Sequence, residues 1–126
     1  DRAAPLSRIE AYKYSTQKNV RFGSVNLGWF DSGDYITYSQ INFGAPGTTK
    51  SIDIYYARNR GGGSVEVRLG GPTGDLIAKL DVPHAGSWDN WWVLSTGIDG
   101  VEGIHDLTFV GKGNHGLMNM HWFELK

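Results

Sequence analysis

The chain has 126 residues, twelve basic and thirteen acidic for a net charge of −1, and no cysteine. That length supports one hydrophobic core and not two. The charge lacks the basic footprint that nucleic acids and anionic membranes require, and the missing thiols exclude disulfides and thiolate metal sites.

Taken in chain order, residues 1–7, opening Asp1-Arg2-Ala3-Ala4-Pro5, read as a leader or linker, and 8–126 as one module. Glycine occupies 18 positions, and Gly or Pro interrupts almost every window long enough for a helix. Short alternating runs separated by turn residues predict strands instead, at 8–14, 20–25, 34–41, 51–58, 64–69, 76–82, 91–95, 104–110 and 121–125. Between them lie Ala45-Pro46-Gly47, Gly61-Gly62-Gly63, Gly70-Gly71-Pro72-Thr73-Gly74 and Gly111-Lys112-Gly113-Asn114. The expected fold is all-β, a sandwich or jelly roll of about eight to ten strands. Period-2 alternation points Ile36 and Tyr38 inward, with Ile52, Ile54 and Tyr56, Val65, Val67 and Leu69, and Leu107 and Phe109. No apolar run reaches the roughly 20 residues of a membrane span.

Five tryptophans and six tyrosines are more than one small core readily hides. Three segments share a glycine turn followed by Trp or Asn ahead of a strand: Gly28-Trp29-Phe30, Gly86-Ser87-Trp88 and Gly116-Leu117-Met118-Asn119. If the three strands run the same way, Trp29, Trp88 and Asn119 converge at one end of the sandwich. A pyranose has an apolar C–H face that packs on an indole and equatorial hydroxyls that need in-plane partners. A carboxamide can donate to one hydroxyl and accept from the next. By analogy with base stacking, each aromatic platform contributes on the order of 1–3 kcal/mol, which suits a Kd of about 10⁻⁴ to 10⁻⁵ M. The plainer reading is that a sandwich Trp lies in the core. Trp91 and Trp122, inside strand-like runs, fit it, whereas Trp92 should face away from Trp91. Asn119 alone would be an ordinary turn residue.

These motifs resemble the family 6 carbohydrate-binding modules of bacterial glycoside hydrolases. Ile9-Glu10-Ala11 is similar to the opening I-E-A-E of that family. The segment from Gly28-Trp29-Phe30-Asp31 through Gly33-Asp34-Tyr35 to Tyr38 resembles G-Y-I-D-x-G-D-W-L-x-Y. Gly86-Ser87-Trp88-Asp89-Asn90-Trp91 resembles G-G-W-x-x-W, and Asn119-Met120-His121-Trp122-Phe123 resembles N-L-D-W-F. The resemblance implies a jelly roll whose end loops sandwich a sugar between Trp29 and Trp88, with Asn119 as anchor. It implies a second site on a concave sheet face at Tyr35, where Tyr is a weaker platform than Trp. It also implies a structural calcium at Glu10, although Tyr12 and His121 replace two of the expected carboxylates. Gln17, Asn19 and Asn114 are expected on nearby loops as further ligand contacts.

The reading is a secreted, extracellular, monomeric and non-catalytic module, joined covalently to a catalytic domain and binding polysaccharide, with no nucleic-acid or membrane partner. β-1,3-Glucan of the laminarin type leads, with xylan, cellulose or agarose as alternatives. A rival is a small glycoside hydrolase, which would need two carboxylates about 5–10 Å apart in a cleft. Asp31, Asp34, Asp89 and Glu102 are the candidates, and Asp31 and Asp34 suit local turn bonding better. A second rival is a protein-interaction module using the same aromatics as hot spots. The four histidines at 84, 105, 115 and 121 lack metal-ligand spacing and are expected on the surface or in loops.

Overall fold

The structure is a computed structural model that describes residues 8–23, 26–28, 30–98 and 100–126. The leader expected at 1–7 and the Trp29 of the expected sugar site lie outside them. The described residues form eleven strands: Ile9–Glu10 (β1), Thr16–Lys18 (β2), Arg21–Phe22 (β3), Leu27–Gly28 (β4), Tyr35–Asn42 (β5), Ser51–Ala57 (β6), Ser64–Leu69 (β7), Asp75–Asp81 (β8), Trp92–Gly97 (β9), Ile104–Lys112 (β10) and Asn119–Leu125 (β11). The longer ones match the alternating runs to within two residues. Two short pairings, β2 on β5 and β4 on β11, carry no alternation long enough to read. The first expected strand shrinks to Ile9–Glu10 because the chain turns at Ala11, where the Lys13 amide donates to the Glu10 carbonyl.

Every strand pairing is antiparallel. One sheet has the order β3-β4-β11-β6-β9 with β1 also on β11, and the other β2-β5-β10-β7-β8. Between the two lies the core foreseen from the alternation: Ile36, Tyr38, Ile52, Ile54, Tyr56, Val65, Val67, Leu107 and Phe109 are all buried. Leu69, expected with them, is only partly buried at its edge. At its centre the rings of Tyr38, Phe109 and Phe123 meet edge to face, with centroids 4.8–5.9 Å apart, the geometry favoured by the aromatic quadrupole. The Tyr38 hydroxyl, on one sheet, donates to the Ala11 carbonyl beside the other at 2.7 Å.

Two tryptophans depart from expectation. Trp91 and Trp122, expected in the core, are half-buried on the outside of the six-stranded sheet. The register of β11 against β6 slips between Met120 and Trp122. An irregularity of this kind inserts a residue into the alternation, so His121 and Trp122 both turn outward while Met120 and Phe123 stay in the core. Trp91 precedes β9, which begins at Trp92. Trp91, Tyr55 and Trp122 form a stack with ring centroids 5.6 and 4.9 Å apart, capped by Arg8 4.0 Å above Trp122. Trp92 is exposed as well. His105 and His121 likewise lie in strands and are half-buried, not in loops.

Candidate functional site

β9 and β11 are both antiparallel neighbours of β6, and their first residues, Trp92 and Asn119, sit opposite Tyr56 and Ala57 at its far end. The loop carrying Trp88, the loop 113–118 and the segment leaving β6 from Arg58 therefore meet at one end of the sandwich. The β3–β4 hairpin joins them because Leu27 pairs with Met120. Together they enclose a cleft of about 670 Å³, whose lining includes Phe22, Asp31, Arg60, Trp88, Gly116 and Asn119, with Arg21 and His115 at the same opening. That volume lies within the range of sites for small organic ligands.

Trp88 is 40% exposed. Its six-membered ring passes over Gly116, where an added Cβ would lie 3.0 Å from Cη2 and 3.4 Å from Arg60 Cδ. Gly116 also has a positive φ of 50°. Bare left-handed backbone is thus what lets the indole and the Arg60 stem lie side by side. Gly116 is held from both directions: its amide donates to Asp31 Oδ1 at 2.7 Å, and its carbonyl accepts from Arg58 Nε at 2.9 Å. Asp31 is fixed in turn, its amide donating to Asp34 Oδ2 at 3.0 Å. Of the candidate carboxylates for hydrolysis, Asp34 closes its own turn and Asp31 anchors the loop at Gly116.

Asn119 is the first residue of β11, not a loop residue ahead of it. Its Nδ2 donates to the Trp88 carbonyl at 2.9 Å, which ties the tryptophan loop to the strand. The amide keeps Oδ1 and its second N–H for other partners. A Cβ on Gly28 would stand 2.8 Å from that Oδ1, so glycine at 28 makes room for the carboxamide. Phe22, not foreseen in the sequence, is the other aromatic lining the cleft among the described residues, and Tyr14 stacks on it at 5.2 Å.

The other expected contacts spread around this centre. Asn19, at φ 62°, lines an adjoining hollow of about 420 Å³ with Val20, Arg21, Asp31 and Asp34. Gln17 is exposed on β2, and its Oε1 accepts from the Val20 amide. Asn114 donates to the Gly61 carbonyl and accepts from the His115 amide, so it shapes the loop and does not line the cleft. Tyr35 is half-buried on β5, opposite Lys18 and Val110.

Below the cleft, Arg58 is fully buried. Its guanidinium donates to the carbonyls of Val82 and Gly62, each at 2.5 Å, and reaches Gly61 at 3.4 Å as well as Gly116. Burial, then the like charge of Arg60, push its pKa below the usual guanidinium range, against a smaller upward pull from Tyr56. Burial raises the Tyr56 hydroxyl, which donates to the Pro83 carbonyl.

Calcium finds little to hold it near Glu10. Glu10 Oε1 lies 3.7 Å from His121 Nδ1, a buried nitrogen with no hydrogen-bond partner. The carbonyls of Glu10, Ala11 and His121 already accept from the Lys13 amide, the Tyr38 hydroxyl and the Ala11 amide. Among the described residues no three acidic, His or Cys side chains gather. Calcium takes six to eight oxygen ligands, and one carboxylate beside an imidazole does not fit it.

The chain matches the family described as Carbohydrate binding module (family 6) over residues 4–126. It is similar to endo-1,4-beta-xylanase A of Thermoclostridium stercorarium, 32% identical over 86% of this chain, and spans 22% of that enzyme's length. Two solved structures resemble it closely. A family 6 module from Clostridium cellulolyticum, in complex with xylose, is 31% identical with a TM-score of 0.87, covering 95% of this chain and 96% of its own. A β-1,3-glucan binding module of the same family from Bacillus halodurans is 30% identical with a TM-score of 0.88, covering 100% and 99%.

Proposed function

The chain belongs to family 6 of the carbohydrate-binding modules, a non-catalytic class, and on that premise we propose that it binds a β-linked polysaccharide in the cleft between Trp88, Phe22 and Asn119. The observation that carries this is the coupling of an exposed indole to a carboxamide: Asn119 fixes the Trp88 backbone and still offers a donor and an acceptor beside the ring. One ring face takes the apolar side of a sugar while the amide takes neighbouring hydroxyls. Trp29 is proposed as a second wall on the strength of its motif.

Among polysaccharides, β-1,3-glucan leads and xylan follows. The Bacillus halodurans relative supports the first, and the xylose complex and the xylanase support the second. The module is proposed to be extracellular, to act as a monomer and to deliver a covalently linked glycoside hydrolase to its substrate. Tyr35 is proposed as a weaker second platform on the other sheet.

Affinity electrophoresis in laminarin and in xylan, followed by calorimetry with matching oligosaccharides, tests the reading. Wild type should be retarded by at least one polymer with a Kd of order 10⁻⁴ to 10⁻⁵ M. Trp88→Ala should lose about 1–3 kcal/mol of binding with an unchanged unfolding midpoint. Full retention by Trp88→Ala would defeat the proposal.

A further inference from the structure

The charges around the cleft are segregated in a way that a neutral sugar does not require. The chain as a whole carries −1, yet the cleft is lined by two arginines, Arg21 and Arg60, a histidine, His115, and a single carboxylate, Asp31. Asp31 already accepts from the Gly116 amide. Asp89, in the tryptophan loop, takes the Ser87 hydroxyl and is not part of the lining. Beneath the floor, Arg58 adds a buried cation whose bonds go to backbone carbonyls. No carboxylate among the described residues pairs with Arg58 or with Arg60. The two guanidiniums are near enough for Arg60 to depress the pKa of Arg58. These arginines lie far apart in sequence from Arg21 and join it only through the neighbours of β6.

We propose that the cleft accepts a sugar bearing an anionic substituent, a uronate carboxylate or a sulfate ester, seated on the guanidinium of Arg60 beside the ring that lies on Trp88. The inference rests on the cleft being the sugar site. The stem of Arg60 crosses Gly116 next to the indole, so its fork is carried alongside the stacking surface. Carboxylate and sulfate oxygens both match that fork. The field of Arg58 beneath adds to the attraction, while the Asp31 and Asp34 side of the adjoining hollow leaves the basic end as the place for the anion.

The test is calorimetry with two matched pairs: a xylo-oligosaccharide with and without a glucuronosyl branch, and a laminari-oligosaccharide with and without a sulfate ester. In at least one pair the anionic member should bind on the order of tenfold more tightly at low salt, and the advantage should shrink as salt rises. The pair that shows it separates carboxylate from sulfate. Arg60→Gln should bring the ratio within a pair toward one, and Arg60→Lys should restore part of it. Equal affinity within both pairs overturns this inference and leaves the sugar site standing. An anion preference that survives Arg60→Gln also overturns it, by locating the anion elsewhere. Failure of every member to bind removes the sugar site as well.

Discussion

At the scale of single residues, the cleft depends on what is missing as much as on what is present. Asn119 occupies the space that a side chain at position 28 would fill. Gly28→Ala should therefore push the carboxamide off the Trp88 carbonyl and weaken oligosaccharide binding by roughly 1–2 kcal/mol, the worth of a displaced hydrogen bond. The strand backbone can keep its form, so the unfolding midpoint should move by no more than a few degrees; calorimetry and thermal melting of the same sample check both halves. Trp88 and Asn119 were legible in the sequence because they sit in or beside turn residues, where an indole has no structural errand. Phe22, Arg60 and His115 were not, because their membership depends on which strands flank β6, and single residues in short or glycine-rich segments carry no pairing information. Gln17 and Asn114 read as ligand contacts because they are polar and near in sequence. In the structure the Gln17 carboxamide accepts from the Val20 amide, and the Asn114 carboxamide ties its loop to the Gly61 carbonyl.

Among the elements, Arg58 at the exit of β6 latches the segments around the cleft. One guanidinium joins the strand leaving at Val82, the glycine turn at Gly61 and Gly62, and the loop at Gly116. Arg58→Met would keep the stem volume and leave those buried carbonyls without donors. The expected loss is about 3 kcal/mol, seen as a fall of roughly 10 °C in the melting midpoint, and ligand binding should weaken with it because Gly116 loses its anchor beneath Trp88. β6 and β7 were readable because their core residues alternate, Ile52, Ile54 and Tyr56 in one and Val65 and Val67 in the other. The slip at Met120–Trp122 was not, since one inserted residue leaves the composition of β11 untouched while reversing which face its tryptophan takes.

For the whole molecule, Tyr38 is a polar link between the sheets at the centre of the core. Burial holds its hydroxyl well above the ordinary phenol pKa of about 10, with a smaller contribution from Tyr14. Its folded value is raised above its unfolded one, so the stability linked to that proton is complete below about pH 10 and is lost as pH climbs beyond it. Denaturant unfolding at stepped alkaline pH should show this decline, and tyrosinate absorbance should lag for Tyr38, and to a smaller extent for Tyr56, until the chain unfolds. Tyr38→Phe should flatten the alkaline decline while costing about 1–3 kcal/mol at neutral pH, because the Ala11 carbonyl loses its donor.

The column of rings on the outer sheet face bears on how any ligand should be detected. Both flat sides of Tyr55 and of Trp122 are covered, by Trp91, by each other and by Arg8, so those two rings have no open face on which a saccharide could stack. Intrinsic emission is therefore a blunt reporter for this module, because two of its five tryptophans are spectators. Replacing Trp91 and Trp122 with phenylalanine would darken that background and let the indole at position 88 announce an arriving saccharide.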